Sequence, residues 1–209
     1  MTQEDGALIG LRERKKRETR VSLSQATIRL CVERGWDNVT VESIADAAGV
    51  SVRTFRNYFS SKGEAIAAGH LERMLRIADT LRDRPAAEPL WDSIVQAVLA
   101  QFAPGGETAA GPAPDQRWRD GLRLMLAEPA LQGEVARANA AAQEALTAAV
   151  AERTGTDAAR DVYPKLVAAV IGAGSGVAVE HCMSAEPPTP LAPVLREVFD
   201  RLAAGLPTP

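Results

Sequence analysis

Apolar residues along most of this chain return every three or four positions, the spacing of one face of an α-helix. Leu23, Ala26, Thr27, Leu30 and Cys31 set that rhythm first and predict a helix over about Leu11 to Arg34, stopped by Gly35. Its leading turns, RERKKRETR, are polar and should project beyond the core. Thr40 then stands where an N-cap is needed for a short helix, Val41–Ala48, since its hydroxyl can accept an orphan backbone N–H. Gly49 ends that helix, because a residue without Cβ enters the left-handed region at little cost. Ser51 caps a second short helix, Val52–Phe59. Ser61 and Glu64 read as an S-x-x-E capping box opening a long helix, with Leu71, Met74, Leu75, Ala78 and Leu81 along one face.

The Pro-containing segment Arg84–Pro89 marks a junction, and five more helical patterns follow: Leu90–Ala103, Asp115–Ala127, Pro129–Thr154, Asp157–Met183 and Leu191–Ala204. Between the first two of these, PGGETAAGPAP has little to bury and is expected to be mobile. Pro164 fits either a first helical turn or a kink. No repeat of solenoid period occurs. Aromatics make up only 4% of the chain against 46% apolar residues, and Ala and Leu dominate, which supports helix throughout. The expectation is an all-α protein of about nine helices.

Charge divides the chain. Residues 10–62 hold 11 Lys/Arg against 6 Asp/Glu, a balance of +5, whereas residues 85–209 hold 9 against 15, a balance of −6. The first part suits a polyanion and the second would be repelled by one. Cys31 and Cys182 are the only cysteines, far apart, so neither a disulfide framework nor a zinc site is indicated. The N-terminus has no apolar signal-like run, and LVAAVIGAGSGVAVEHCM is too rich in Gly to read as a membrane span. A soluble cytoplasmic protein, without metal or cofactor, is expected.

Two short helices meeting at a Gly-containing turn have the form of a helix-turn-helix, whose second helix enters the DNA major groove. Ile44, Ala45, Ala48, Val50 and Phe55 would hold the two helices at their angle. On the free side Arg53, Thr54, Asn57 and Tyr58 can reach base edges or phosphates: Arg pairs with guanine, Asn with adenine, and a Thr methyl with thymine. Ser51 and Arg56 are added as base or backbone contacts and Thr40 and Lys62 as phosphate contacts, Lys62 beside a helix N-terminus that itself attracts phosphate. The basic run, with Arg14, Lys15, Lys16 and Arg17 at its centre, could grip flanking phosphates or enter the minor groove. A basic run alone is more often a solvated surface; the order and spacing of the helix pair weigh more.

The segment TVESIADAAGVSVRTFRNYFSSKGEAI resembles the N-terminal signature of the TetR/AcrR family of bacterial transcriptional regulators. Thr40, Ile44, Ala45, Ala48, Gly49, Val50, Ser51, Tyr58, Phe59, Ser61 and Lys62 match its pattern position by position, over residues 15–66. Phe55 stands where Tyr or Leu is also common, and Gly63 replaces a frequent Glu or Asp. The resemblance implies a homodimer on a palindromic double-stranded DNA operator, and release by a small-molecule effector. It implies three parts: a basic arm and helix-turn-helix domain over 1–62, a connecting helix over 63–84, and a larger helical ligand-binding and dimerisation domain over 85–209. RWRDGLRLMLAEPAL further resembles family members with an acyl-CoA-like ligand domain, so the effector is expected to be acyl-CoA-like or another amphipathic compound.

In that larger domain Trp91, Phe102, Trp118, Leu122, Met125, Asn139, Tyr163 and His181 are the candidate pocket lining, mostly apolar with a few polar groups. For dimerisation, Leu191, Leu195, Val198, Phe199 and Leu202 form an apolar stripe, and Gly174 and Ala178 would let another helix approach. Enzyme readings fare poorly: His70 and His181 are the only histidines, and no H-E-x-x-H, Walker A or G-x-S-x-G pattern occurs, leaving no catalytic candidates. GAGSGV lacks the spacing and the preceding strand of a phosphate loop. The alternatives to a repressor are an activator, or a helical small-molecule or protein-interaction module that does not act through DNA.

Overall fold

The computed structural model describes residues 3–102, 116–186 and 189–208, with side chains from residue 15 onward and, in the second stretch, from residue 119 onward. Among them are nine α-helices and no strand: α1 (Gln3–Arg34), α2 (Val41–Ala47), α3 (Val52–Tyr58), α4 (Lys62–Asp83), α5 (Leu90–Phe102), α6 (Gln116–Ala127), α7 (Gln132–Thr154), α8 (Val162–Ser184) and α9 (Leu191–Ala203). Short 3-10 turns occupy Trp36–Asn38 and Pro129–Leu131. The segment PGGETAAGPAP, expected to be mobile, lies outside the described residues. Helix α1 starts well before the expected Leu11 and carries the basic run in its helical turns, as expected.

The helices form two compact units, Met1–His70 with Asp120–Ala138, and Leu71–Arg119 with Asn139–Pro209. The expected parts followed chain order, broken at 62 and 84. In the structure the division falls inside α4, and a segment from the second half of the chain belongs with the first. The core of the first unit explains this. Leu23, Leu30, Ile44, Phe55, Phe59 and Ile66 are joined there by Leu131, fully buried, with Met125 and Val135 packed alongside. Gly63 sits where the start of α4 passes this segment: a Cβ would lie 3.2 Å from Glu134 Cγ and 3.3 Å from Leu131 Cδ2. An acidic residue, frequent in the resembling pattern, would crowd both.

Local signals fix the short helices. Thr40 accepts from Ser43 N at 3.2 Å while Ser43 Oγ accepts from Thr40 N, a complete capping box. Gly49 takes φ 67°, the left-handed turn expected of it. Ser51 Oγ accepts from Thr54 N at 3.0 Å at the start of α3. At α4 Ser61 caps Glu64 N, but the Glu64 carboxylate reaches back to Ser60 N at 2.7 Å instead of Ser61 N.

In the second unit Ile77, Leu81, Ile94, Val98, Leu146, Val150 and Ile171 are almost wholly buried. Arg153 ties the turn between α4 and α5: its guanidinium donates to the carbonyls of Leu81, Arg84, Pro85 and Glu88 and to Ser93 Oγ. Leu81 lies in the last turn of α4, whose carbonyls have no intrahelical partner, and the other three carbonyls belong to the turn that follows. Asp157 and Asp161 close a separate turn ahead of α8. Pro164 therefore falls in the first turn of α8, where its missing N–H costs nothing, and produces no kink. By length and composition α8 could cross a membrane. Its Ile171, Gly174 and Ala178 are nevertheless buried, and α8 packs on α9 as a core helix does.

Candidate nucleic-acid interface

Helix α3 is held from below and open above. Phe55 and Phe59 are buried, their ring centroids 5.7 Å apart. Arg53, Arg56 and Asn57 are exposed, and Thr54 and Tyr58 are half-buried. A seven-residue helix cannot hold itself in water, so its position depends on that aromatic base. The exposed set offers two guanidinium forks and one amide, the donors and acceptors that read base edges. Two of the expected readers are partly engaged: the Tyr58 ring packs against the core, and Thr54 Oγ1 lies 2.8 Å from Ser51 Oγ. Glu42, at the start of α2, has its carboxyl held below the ordinary range by hydrogen bonds from its own backbone and from Thr40, with Arg56 adding attraction.

Several residues expected to grip phosphate also build the site. Lys62 Nζ donates to the carbonyls of Trp36 at 2.6 Å and Val39 at 2.9 Å and stands 4.1 Å over the Trp36 ring. It closes the loop between α1 and α2, leaving one of its three hydrogens for an outside acceptor. Thr40 caps α2. Arg20 lies 4.8 Å over the Phe59 ring, bracing α3 from α1. Lys15, Lys16 and Arg17 are exposed on α1, and the side chain of Arg14 lies outside the described residues. What sequence reasoning missed here is Leu131, which no local pattern ties to a helix-turn-helix, and with it the reason for Gly63, which packs against it.

The candidate pocket residues are divided between the two units. Leu122 and Met125 belong to the first unit, where Met125 packs on the helix-turn-helix core. Tyr163 is 45% exposed, and Asn139 and His181 are exposed too. Trp91 and Phe102 are half-buried at opposite ends of α5, and the side chain of Trp118 lies outside the described residues. The residue that the structure does place against Phe102 is Arg73 of α4, its guanidinium carbon 5.2 Å from the ring centroid.

Most of the dimer candidates serve packing within one chain. Gly174, Ala178, Leu191, Leu195 and Phe199 are all buried within the subunit. A Cβ on Gly174 would come 2.9 Å from Leu202 Cδ1 and 3.4 Å from Val198 Cγ1 and Phe199 Cζ, so the small residue serves α8 on α9 in one chain. The open face of α8 is the opposite one: Val162 is 75% exposed, and Leu166 and Val177 are each 57% exposed.

A basic helix-turn-helix unit and a second helical unit together define a DNA-binding regulator with a separate sensing part. Residues 23–68 match the family model of bacterial regulatory proteins, tetR family, and residues 88–207 match that of the MftR C-terminal domain. The chain belongs to the TetR family of transcriptional regulators, with a DNA-binding and a ligand-binding domain, and is not an enzyme. It is 32% identical to the HTH-type transcriptional regulator TcmR of Streptomyces glaucescens, over 78% of this chain and 73% of that one. With MftR of Mycobacterium tuberculosis the identity is 30% over 92% and 93% of the two chains. The solved structure of FadR from Bacillus subtilis in complex with stearoyl-CoA shares the fold, with a TM-score of 0.57 over 88% of this chain and 97% of that one at 17% identity.

Proposed function

We propose that this regulator is a cytoplasmic repressor: a homodimer that occupies a palindromic operator and is released when a small-molecule effector enters the second unit. The observation that carries the reading is α3, where Arg53, Arg56 and Asn57 are exposed above a base of two buried Phe rings. Arg53, Thr54, Asn57 and the edge of Tyr58 read bases, while Lys15, Lys16, Arg17, Ser51, Arg56 and the remaining hydrogen of Lys62 hold backbone phosphates. The apolar outer face of α8 supports the dimer, since an exposed stripe of this kind on a long helix matches its own copy across a two-fold axis. Two-fold symmetry then places the two α3 helices about 34–36 Å apart, or at a longer multiple, on a palindrome.

Effector control follows as a population shift, the ligand favouring a dimer whose α3 spacing no longer fits. Helix α4 begins in the first unit and continues into the second, so it is the covalent path for that change. An acyl thioester is the favoured effector class, because FadR, solved with stearoyl-CoA, has this fold. The test is retardation of DNA from upstream of the regulator's own coding sequence across a salt series. Binding should fall steeply as salt rises, because neutralised phosphates release counterions. No retardation at low salt would sink the reading in favour of a module that does not act through DNA.

A further inference from the structure

Six of the nine arginines of the second unit whose side chains are described are matched, and Arg196 is half-exposed to solvent. Among the described residues Arg76 pairs with Glu72, Arg82 with Asp79 and Glu152, Arg84 with Glu88, Arg160 with Asp157 and Arg201 with Glu197. Arg153 is satisfied by carbonyls. Arg73 differs. Its guanidinium lies over the Phe102 ring, no carboxylate among the described residues is within ion-pair distance, and Met74 and Ile77 beside it on α4 are buried. Burial pushes its pKa down, and the nearby positive charge of Arg76 pushes in the same direction. In the same unit Arg119 keeps its Nε buried without an acceptor.

A guanidinium taken from water without a counter-charge is unfavourable, and the face of one aromatic ring offsets only part of the cost. Structural arginines in this unit show how the fold treats a cation it uses for itself: it supplies carboxylates or carbonyls. Arg73 has been given neither. Its planar fork suits the paired oxygens of a carboxylate or phosphate. The half-buried Phe102 ring beside it offers an apolar surface to whatever carries those oxygens.

We propose that Arg73 anchors the acidic group of the effector, with the Phe102 ring beside it, and that the effector is an amphipathic anion bearing a carboxylate or phosphate. This rests on the reading of the second unit as the effector-binding part. It also places the anchoring charge on α4, the helix shared by both units, so that neutralising Arg73 acts on the element leading to α3. A carboxylate would come from a free acid, and a phosphate from a carrier thioester.

The test uses the full chain with three probes of equal alkyl length: dodecanoate, lauroyl-coenzyme A and dodecanol. Calorimetry on the wild type should give at least one anion a preference over the alcohol of about tenfold or more, the size expected of a charge-assisted pair. Tighter dodecanoate points to a carboxylate source, and tighter lauroyl-coenzyme A to a phosphate. Arg73→Met should abolish the preference and Arg73→Lys should retain part of it. The ligand-free melting temperature of Arg73→Met should equal or exceed that of the wild type, because an unmatched cation has been replaced by an apolar chain of similar length. An anion preference that survives in Arg73→Met overturns the proposal. So does a wild type that prefers neither anion, or a ligand-free Arg73→Met protein that melts several degrees lower, which would make Arg73 structural. DNA retardation without any probe, measured in parallel, isolates a failure of the DNA-binding reading from a failure at Arg73.

Discussion

Helices α3 and α8 each bury one side and leave the other open, yet their open sides differ in kind. That of α3 is Arg53, Arg56 and Asn57, groups well solvated in water that exchange water for a polyanion. That of α8 is Val162, Leu166 and Val177, which water disfavours and which a like surface relieves. The buried sides are both apolar and serve only to hold position. On this reading what a helix recognises is written on the side its own fold does not use, whereas the most regular apolar stripe marks the side that packs within the subunit.

The largest effect should come from charging the open side of α8. Leu166→Glu with Val177→Glu puts two carboxylates from each subunit into the proposed two-fold interface. Sedimentation should then give a monomer. Operator affinity should fall by about a hundredfold or more, because the second half-site no longer adds to the first. The melting temperature of the subunit should change little, since both positions are already exposed. Leu195→Glu offers the contrast: almost fully buried against the rest of its own subunit, it should prevent folding. A dimer that survives the double substitution would return the interface to the stripe on α9.

The base of α3 is the next target. Leu131→Ala removes a fully buried side chain from the helix-turn-helix core and should cost about 2–5 kcal/mol. The change lies far from α3 in sequence, so a loss of operator binding with it, seen together with a lowered unfolding midpoint in urea, would mark the reading unit as incomplete without residues 120–138. A fragment ending at Arg84 should bind DNA poorly for the same reason. Normal operator binding by that fragment would contradict the shared core. On the open side of α3, Arg53→Ala leaves the fold untouched and should cost about 1–3 kcal/mol of specific binding, with much less effect on non-specific DNA. Equal loss on both would remove base reading from that residue.

The turn and caps around α3 were legible because their determinants lie within four residues of one another: Thr40 with Ser43, Ser51 with Thr54, Gly49 alone. Helix number and most boundaries followed for the same reason. Three features were not legible. Leu131 joins Phe55 and Phe59 across a long separation in sequence, and nothing in PALQG distinguishes a core residue of one unit from that of another. Helix α8 is apolar or small on nearly every side, so its period cannot say which stripe faces α9. Lys62 reads as a phosphate contact and Arg73 as one charge among many on α4; it is the folding of distant segments together that sets the first on two carbonyls and the second over Phe102.

A change that touches neither open side gives the smallest effect and calibrates the others. Glu88 accepts hydrogen bonds from Arg84 and, at 2.6 Å, from the Ser93 hydroxyl, which itself accepts from Arg153. These bonds, with the Arg84 and Arg153 charges, hold its pKa at about 2, below the ordinary 4.5. A carboxyl depressed in the folded state stabilises the fold fully above the unfolded value and loses that contribution as pH falls toward the folded one. Glu88→Gln should therefore lower the melting temperature by about one to three degrees at neutral pH, as suits one solvent-screened ion pair in a chain of this size. The gap between variant and wild type should narrow below pH 4.5 and close near pH 2. Because Glu88 belongs neither to the unit that carries α3 nor to α8, operator affinity and dimerisation at neutral pH should stay as in the wild type. A gap that widened on acidification would mean that protonated Glu88 is the form the fold prefers, and would reverse the reading of the Arg84–Glu88–Ser93–Arg153 cluster as a charged tie.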